Sequence, residues 1–144
     1  MRLLVAFDGS EGAHIALREA AALARETGAS VVLVHALNPL LDAAEVVAPS
    51  TMAAMRVVSA QSLAAMDEAA AAAGLDVTRV TCEVAQLRHG EDDAEAIERV
   101  AAEQGATMIV ISSRRAASVV GMVLGSVTQH VLRHAPCPVL VVRA

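Results

Sequence analysis

Four residues near the carboxyl end have the types and spacing to hold an anion. Gly125 and Ser126 open a run with helical periodicity, followed by Val127 and Thr128. The first backbone N–H groups of a helix lack partners inside it, and the positive end of the helix dipole lies behind them. A phosphate or carboxylate placed there would be held by N–H groups rather than by a specific side chain. The plainer alternative is that Ser126 only caps the helix with its hydroxyl. Upstream, Arg114 and Arg115 offer guanidinium forks that suit phosphate oxygens, or else are two solvated loop charges. Asp8 adds a carboxylate directly after an apolar run and before Gly9-Ser10.

Other chemistries fail on missing residues. A P-loop kinase or ATPase needs a lysine on the β- and γ-phosphates, and this chain contains none. A receiver-type phosphoacceptor would use an aspartate after the first strand, but its further acidic residue and lysine are absent from the matching places. His130 and His134 share a helix face and have the spacing to bind one metal. No H-E-x-x-H glutamate accompanies them and no third ligand has an assignable place, so they are read as surface histidines. Ser10 and Ser126 have no assignable histidine beside them, which leaves them as caps rather than nucleophiles. Neither a catalytic set nor a metal set is expected.

Composition narrows the class further. At 144 residues the chain suits one domain with one core, taken as residues 1–144. Its hydrophobic share is 56%, much of it alanine, and no run approaches the roughly 20 apolar residues of a membrane span. The start, Met1-Arg2 into a short apolar run, lacks the features of a secretory signal, which points to the cytoplasm. Cys82 and Cys137 are too few for a disulfide framework and read as reduced core residues. A net charge of −5 with one aromatic residue, Phe7, leaves neither a basic stripe nor a stacking platform, so nucleic acid is not an expected partner.

The elements that must position these residues alternate. Leu3–Phe7 is a buried strand stopped by Asp8-Gly9-Ser10. Ser10 caps a helix over Glu11–Thr27, with Ala13, Leu17, Ala20 and Ala24 on its apolar face and Gly28 ending it. Val31–Ala36 is a β-branched strand buried on both faces. A long connection from Asn38 to Ser50 leads to a second helix reaching Ala73, whose Met52, Met55 and Met66 read as core filling. Asp76–Val84 is a more polar strand, and Asp93–Gln104 a helix with Ile97 and Val100 inward. Thr107–Ile111 is a strand, Ser126–His134 a helix, and Pro138–Val142 a last, edge strand. This order predicts an α/β fold: a doubly wound, five-stranded parallel sheet with helices on both faces, Rossmann-like. Its ligand site would lie beyond the carboxyl ends of the strands, after Phe7, Ala36 and Ile111. The apolar edge invites a second copy.

On these residues the chain resembles the universal stress protein family. The matching pieces are Val5-Ala6-Phe7-Asp8-Gly9-Ser10, Val34-His35-Ala36, Leu124-Gly125-Ser126-Val127 and Val131 through Val142, together spanning essentially the whole chain. The resemblance implies a homodimer formed through Pro138–Val142, where Val139, Val141 and Val142 suit the contact. It also implies an ATP or AMP site in which Ala6, Phe7 and Asp8 meet the adenine with backbone contacts from Ala36 and Ile111, and Gly125, Ser126, Val127 and Thr128 meet the phosphates. In ATP-binding members a loop runs Gly, two residues, Gly, nine residues, then Gly-Ser or Gly-Thr. Here Ser112 and Arg115 stand where the first two glycines would be. A side chain there would fill phosphate volume or strain the turn. Two functions therefore stand. One is a non-enzymatic stress-response homodimer working through contacts with an unidentified protein partner, with weakened or altered nucleotide binding. The other is an ATP- or AMP-binding switch in which Arg115 clasps a phosphate.

Overall fold

The computed structural model describes residues 1–39, 51–113 and 124–144. Arg114, Arg115, the rest of the loop to Gly121 and most of the Asn38–Ser50 connection therefore lie outside the described residues. Five strands, β1 (Arg2–Ala6), β2 (Ser30–Leu37), β3 (Val80–Gln86), β4 (Met108–Ser113) and β5 (Val139–Arg143), form one sheet in the order β3-β2-β1-β4-β5. All four pairings are parallel. The helices α1 (Glu11–Thr27), α2 (Thr51–Ala72), α3 (Asp93–Glu103) and α4 (Ser126–His134) cover both faces.

Alternation along the strands divides the core. Leu3, Val5, Val31, Leu33 and Val110 point to one face, where Ala13, Ala16, Leu17 and Ala20 of α1 and Met66 of α2 meet them. Leu4, Val32, Val34, Ile109 and Ile111 point to the other, against Ile97 and Val100 of α3 and Val131 of α4. Period-2 strands between period-3.6 helices give this three-layer arrangement. Alanines on the inward stripe of α1 let the helix sit close to the sheet, which suits a core whose only buried aromatic ring is Phe7.

Local signals set the helix ends. Ala13 N–H donates to Ser10 Oγ at 3.2 Å, as a cap should, and Gly28 closes α1 in the left-handed region at φ 71°. Asp92 and Glu95 form a reciprocal capping box at the start of α3.

Three expectations need correction. The strand predicted from Asp76 begins only at Val80, because Asp76 Oδ1 accepts from the Thr78 N–H and winds Val77–Arg79 into a 3-10 turn. Met55 and Met66 are buried but Met52 is 68% exposed, since one residue of the trio lies off the inward stripe. Ser126 does not cap α4: Gly125 occupies that position, with no side-chain capping bond.

The cysteines are free and half-buried. Burial, helped by a hydrogen bond with Asp67, pushes the Cys82 thiol up to about 12, and burial raises Cys137, so both are unreactive at neutral pH. Among the described residues no helix is long and apolar enough to cross a membrane.

Candidate functional site

The strand order reverses between β1 and β4, because the chain winds outward through β2 and β3 and then returns to the other side of β1. The loops leaving β1 and β4 therefore part in opposite directions and open a crevice at the carboxyl edge. A cavity of about 310 Å³ occupies it.

The candidate residues reach it from three strand ends and one helix start. Ala6, Phe7 and Asp8 come from the end of β1, Ala36 from β2, Ile111 and Ser112 from β4, and Gly125, Ser126, Val127 and Thr128 from the start of α4. Of the candidate residues read from the sequence, only Arg114 and Arg115 are missing from this lining, and both lie outside the described residues. Sequence reasoning passed over Ser10, Ala13, Val34, His35, Asp93 and Ile97, which also line the cavity. Ser10 and Ala13 were legible as the turn of chain that must follow Asp8. Asp93 and Ile97 were not, because they arrive only through the packing of α3 beside β2.

Each wall has its own local cause. Asp8 Oδ1 accepts the Ser10 N–H at 2.9 Å, so the carboxylate is held by the turn that starts α1. Phe7 is 3% exposed; its N–H donates to the Val34 carbonyl at 2.8 Å and its ring stands edge-on to His14 at 5.0 Å. Phe7 thus fixes the distance between the ends of β1 and β2. His35 Nδ1 and Ser62 Oγ lie 2.6 Å apart, linking β2 to α2 behind the cavity.

The wall formed by α4 differs from the starts of α1 and α3. Ser10 caps α1 and Asp92 caps α3, but α4 carries no side-chain cap, and Gly125 sits in extended geometry at φ −64° and ψ 160°. The start of α4 thus has no side-chain cap, and its first residues line the cavity. Thr128, 4% exposed, anchors this end by donating its hydroxyl to the Ser112 carbonyl at 3.1 Å.

Ser112 lines the cavity and also meets α1. It lies within β4, and no non-glycine residue among those described has a positive φ. Its side chain rests on Gly12 of α1: a Cβ added to Gly12 would stand 2.8 Å from Ser112 Oγ. The missing glycine of the loop is thus offset by a glycine in the facing helix.

The histidine pair on α4 also differs from expectation, for a third potential ligand is present. Glu98 of α3 brings a carboxylate to His130 and His134, with one ligand atom from each residue lying within 4.8 Å of the others. Nothing in the helix spacing of α4 could reveal it, because Glu98 comes from a different helix.

Comparison with known proteins places this geometry. The model of the universal stress protein family matches residues 1–143. A universal stress protein of Thermus aquaticus is 37% identical over 98% of this chain and 97% of its own length. A solved member of the family from Burkholderia pseudomallei superposes with a TM-score of 0.71 at 28% identity, covering 99% of this chain and 96% of that one. The universal stress protein of Archaeoglobus fulgidus in complex with dAMP superposes with a TM-score of 0.60 at 25% identity, covering 98% and 96%.

Proposed function

This chain belongs to the universal stress protein family, and from that premise we propose that it is a non-enzymatic stress-response protein that binds an adenine mononucleotide in the switch-point cavity and works as a homodimer through protein contacts. The observation that carries the nucleotide part is the uncapped start of α4 opening into a cavity that also holds the Asp8 carboxylate. Base and phosphate would meet different walls: Asp8, Ala36 and Ile111 at one end, Gly125, Ser126, Val127 and Thr128 at the other.

A mononucleotide suits the volume. About 310 Å³ is at the small end of the roughly 300–1,000 Å³ span of small-molecule pockets. The dAMP bound by the Archaeoglobus fulgidus relative is of the same class. The contact of the Ser112 side chain with Gly12 supports altered rather than lost binding.

Two observations support a non-enzymatic role. The Ser10 hydroxyl is occupied with the Ala13 N–H, and the chain has no lysine to steady a transferring phosphoryl group. For the homodimer, β5 is an edge strand, and its Leu140 is an exposed large apolar residue. Val139, Val141 and Val142 lean on the two cores of their own chain, so Leu140 and the strand's backbone would carry the contact.

Isothermal titration with AMP and with ATP plus Mg²⁺ tests the reading. Tighter binding of AMP is expected. Equal or tighter binding of ATP would replace it with a triphosphate switch, and heat from neither would leave protein contacts as the whole function.

A further inference from the structure

We propose that Glu98, His130 and His134 form a binding site for a divalent transition-metal cation of the zinc class, joining α3 to α4. The three side chains already converge, with one potential ligand atom from each within 4.8 Å of the others. Two imidazoles and one carboxylate are a donor set that such cations favour over Mg²⁺ or Ca²⁺, which prefer oxygen ligands alone.

Glu98 supplies an independent sign. Its side chain is 16% exposed, and its Oε1 is buried with no hydrogen-bond partner among the described residues. A buried carboxylate oxygen without a partner is costly to keep. The nearest cationic candidate is His130 Nε2 at 3.8 Å, too far for a hydrogen bond. Two ligands on one tetrahedral Zn²⁺ at bond lengths near 2.0–2.1 Å sit about 3.3 Å apart, so a cation between them needs only a small closure.

The second ring nitrogens are turned as metal-binding histidines require. His134 Nδ1 lies 3.0 Å from the His130 carbonyl; only a protonated Nδ1 can bond there, which leaves the Nε2 lone pair for a metal. His130 Nδ1 faces the Asp92 carboxylate at 3.9 Å while its Nε2 faces Glu98. The two rings lie 4.4 Å apart between centroids. Asp92 and Glu95, both at the start of α3, add negative charge around Glu98. The site stands apart from the nucleotide reading, although His130, Ser126 and Val127 also line a second cavity that adjoins the main one.

Chelator-treated full-length protein titrated with Co²⁺ and Zn²⁺ is the test. Expected are saturable Co²⁺ d–d absorption displaced by Zn²⁺, a rise in Tm with Zn²⁺ at micromolar concentration, and no rise with Mg²⁺ at the same concentration. His130→Ala, His134→Ala and Glu98→Gln should each weaken Zn²⁺ affinity by at least about tenfold. Circular dichroism of each apo variant confirms that it folds, and Glu98→Gln changes the shape least. Native affinity in His134→Ala would overturn the proposal by assigning the metal to other histidines or the cysteines. Native affinity in Glu98→Gln would overturn the three-ligand centre in favour of a bare histidine pair, and Mg²⁺ competing on equal terms would overturn the imidazole site altogether.

Discussion

Ser112 and Gly12 are complementary: the hydroxymethyl group at the end of β4 occupies the space that a Cβ on the first turn of α1 would need, with 2.8 Å to Oγ and 3.1 Å to Cβ of Ser112. Adding that carbon should therefore destabilise the protein even though alanine favours a helix by up to about 1 kcal/mol over glycine. Gly12→Ala alone is expected to lower the urea midpoint, overpacking costing roughly 1–3 kcal/mol. In a Ser112→Gly background the same change should be neutral or stabilising. A double-mutant cycle reads the coupling, and additive effects would mean that the two residues do not constrain each other.

Glu91 sets an acid limb. Its carboxylate receives Arg99 Nε at 2.7 Å and Nη2 at 3.0 Å, together with the Arg88 N–H at 2.9 Å. The Arg99 guanidinium holds Glu91 down to about 2 from an ordinary 4.5. A carboxyl group with a depressed folded-state pKa stabilises fully above the unfolded value and loses that contribution as pH falls. Glu91→Gln should therefore be less stable than native at pH 7, with the gap closing between pH 4.5 and about 2. Denaturant midpoints across that interval check it. Glu98 works in the opposite sense, since burial raises its pKa and protonation relieves a cost, so the Glu91 contribution must be read as a native-minus-variant difference.

In the proposed nucleotide site the base would meet Asp8. Asp8→Asn keeps an oxygen for the Ser10 N–H and so preserves the turn while removing the charge. AMP affinity should fall about tenfold, the equivalent of roughly 1.4 kcal/mol, with Tm of the free protein nearly unchanged. Titration calorimetry measures the first and a thermal melt the second. If affinity holds, Asp8 serves the turn alone. In the Ser112→Gly, Arg115→Gly double variant, affinity for ATP is expected to rise relative to AMP.

An arginine at Leu140 probes the edge. Leu140 is 38% exposed in the middle of β5, so Leu140→Arg should leave the monomer fold intact and shift the sedimenting species from dimer to monomer. An unchanged dimer would place the contact elsewhere.

The sequence carried most of the scaffold because its signals are local. The helical spacing from Glu11 to Thr27, with Ser10 before it and Gly28 after it, gives α1 to the residue. The cavity lining was legible for the same reason wherever it is built from strand ends and a helix start. What stayed hidden depends on two elements meeting. Gly12 carries no signal of its own and matters because Ser112 of β4 meets it, and Glu98 matters because α4 brings two histidines to it. Ser126 was misread as a cap because Gly-Ser places a good capping residue one position inside the helix, and only the backbone angles of Gly125 distinguish the two.

The central position of β1 also governs how the protein is made. β1 precedes the strands it pairs with, gaining β2 early and β4 only when Met108 to Val110 arrive; Arg2 N–H then donates to Thr107 Oγ1 across a separation of 105 residues. Until then Leu3, Leu4 and Val5 present an apolar strand with one unpaired flank. Such non-local closure slows folding and exposes the nascent chain to wrong pairing. A stall in translation before residue 107 would release a fragment that holds three strands of the sheet but lacks the one that covers its first.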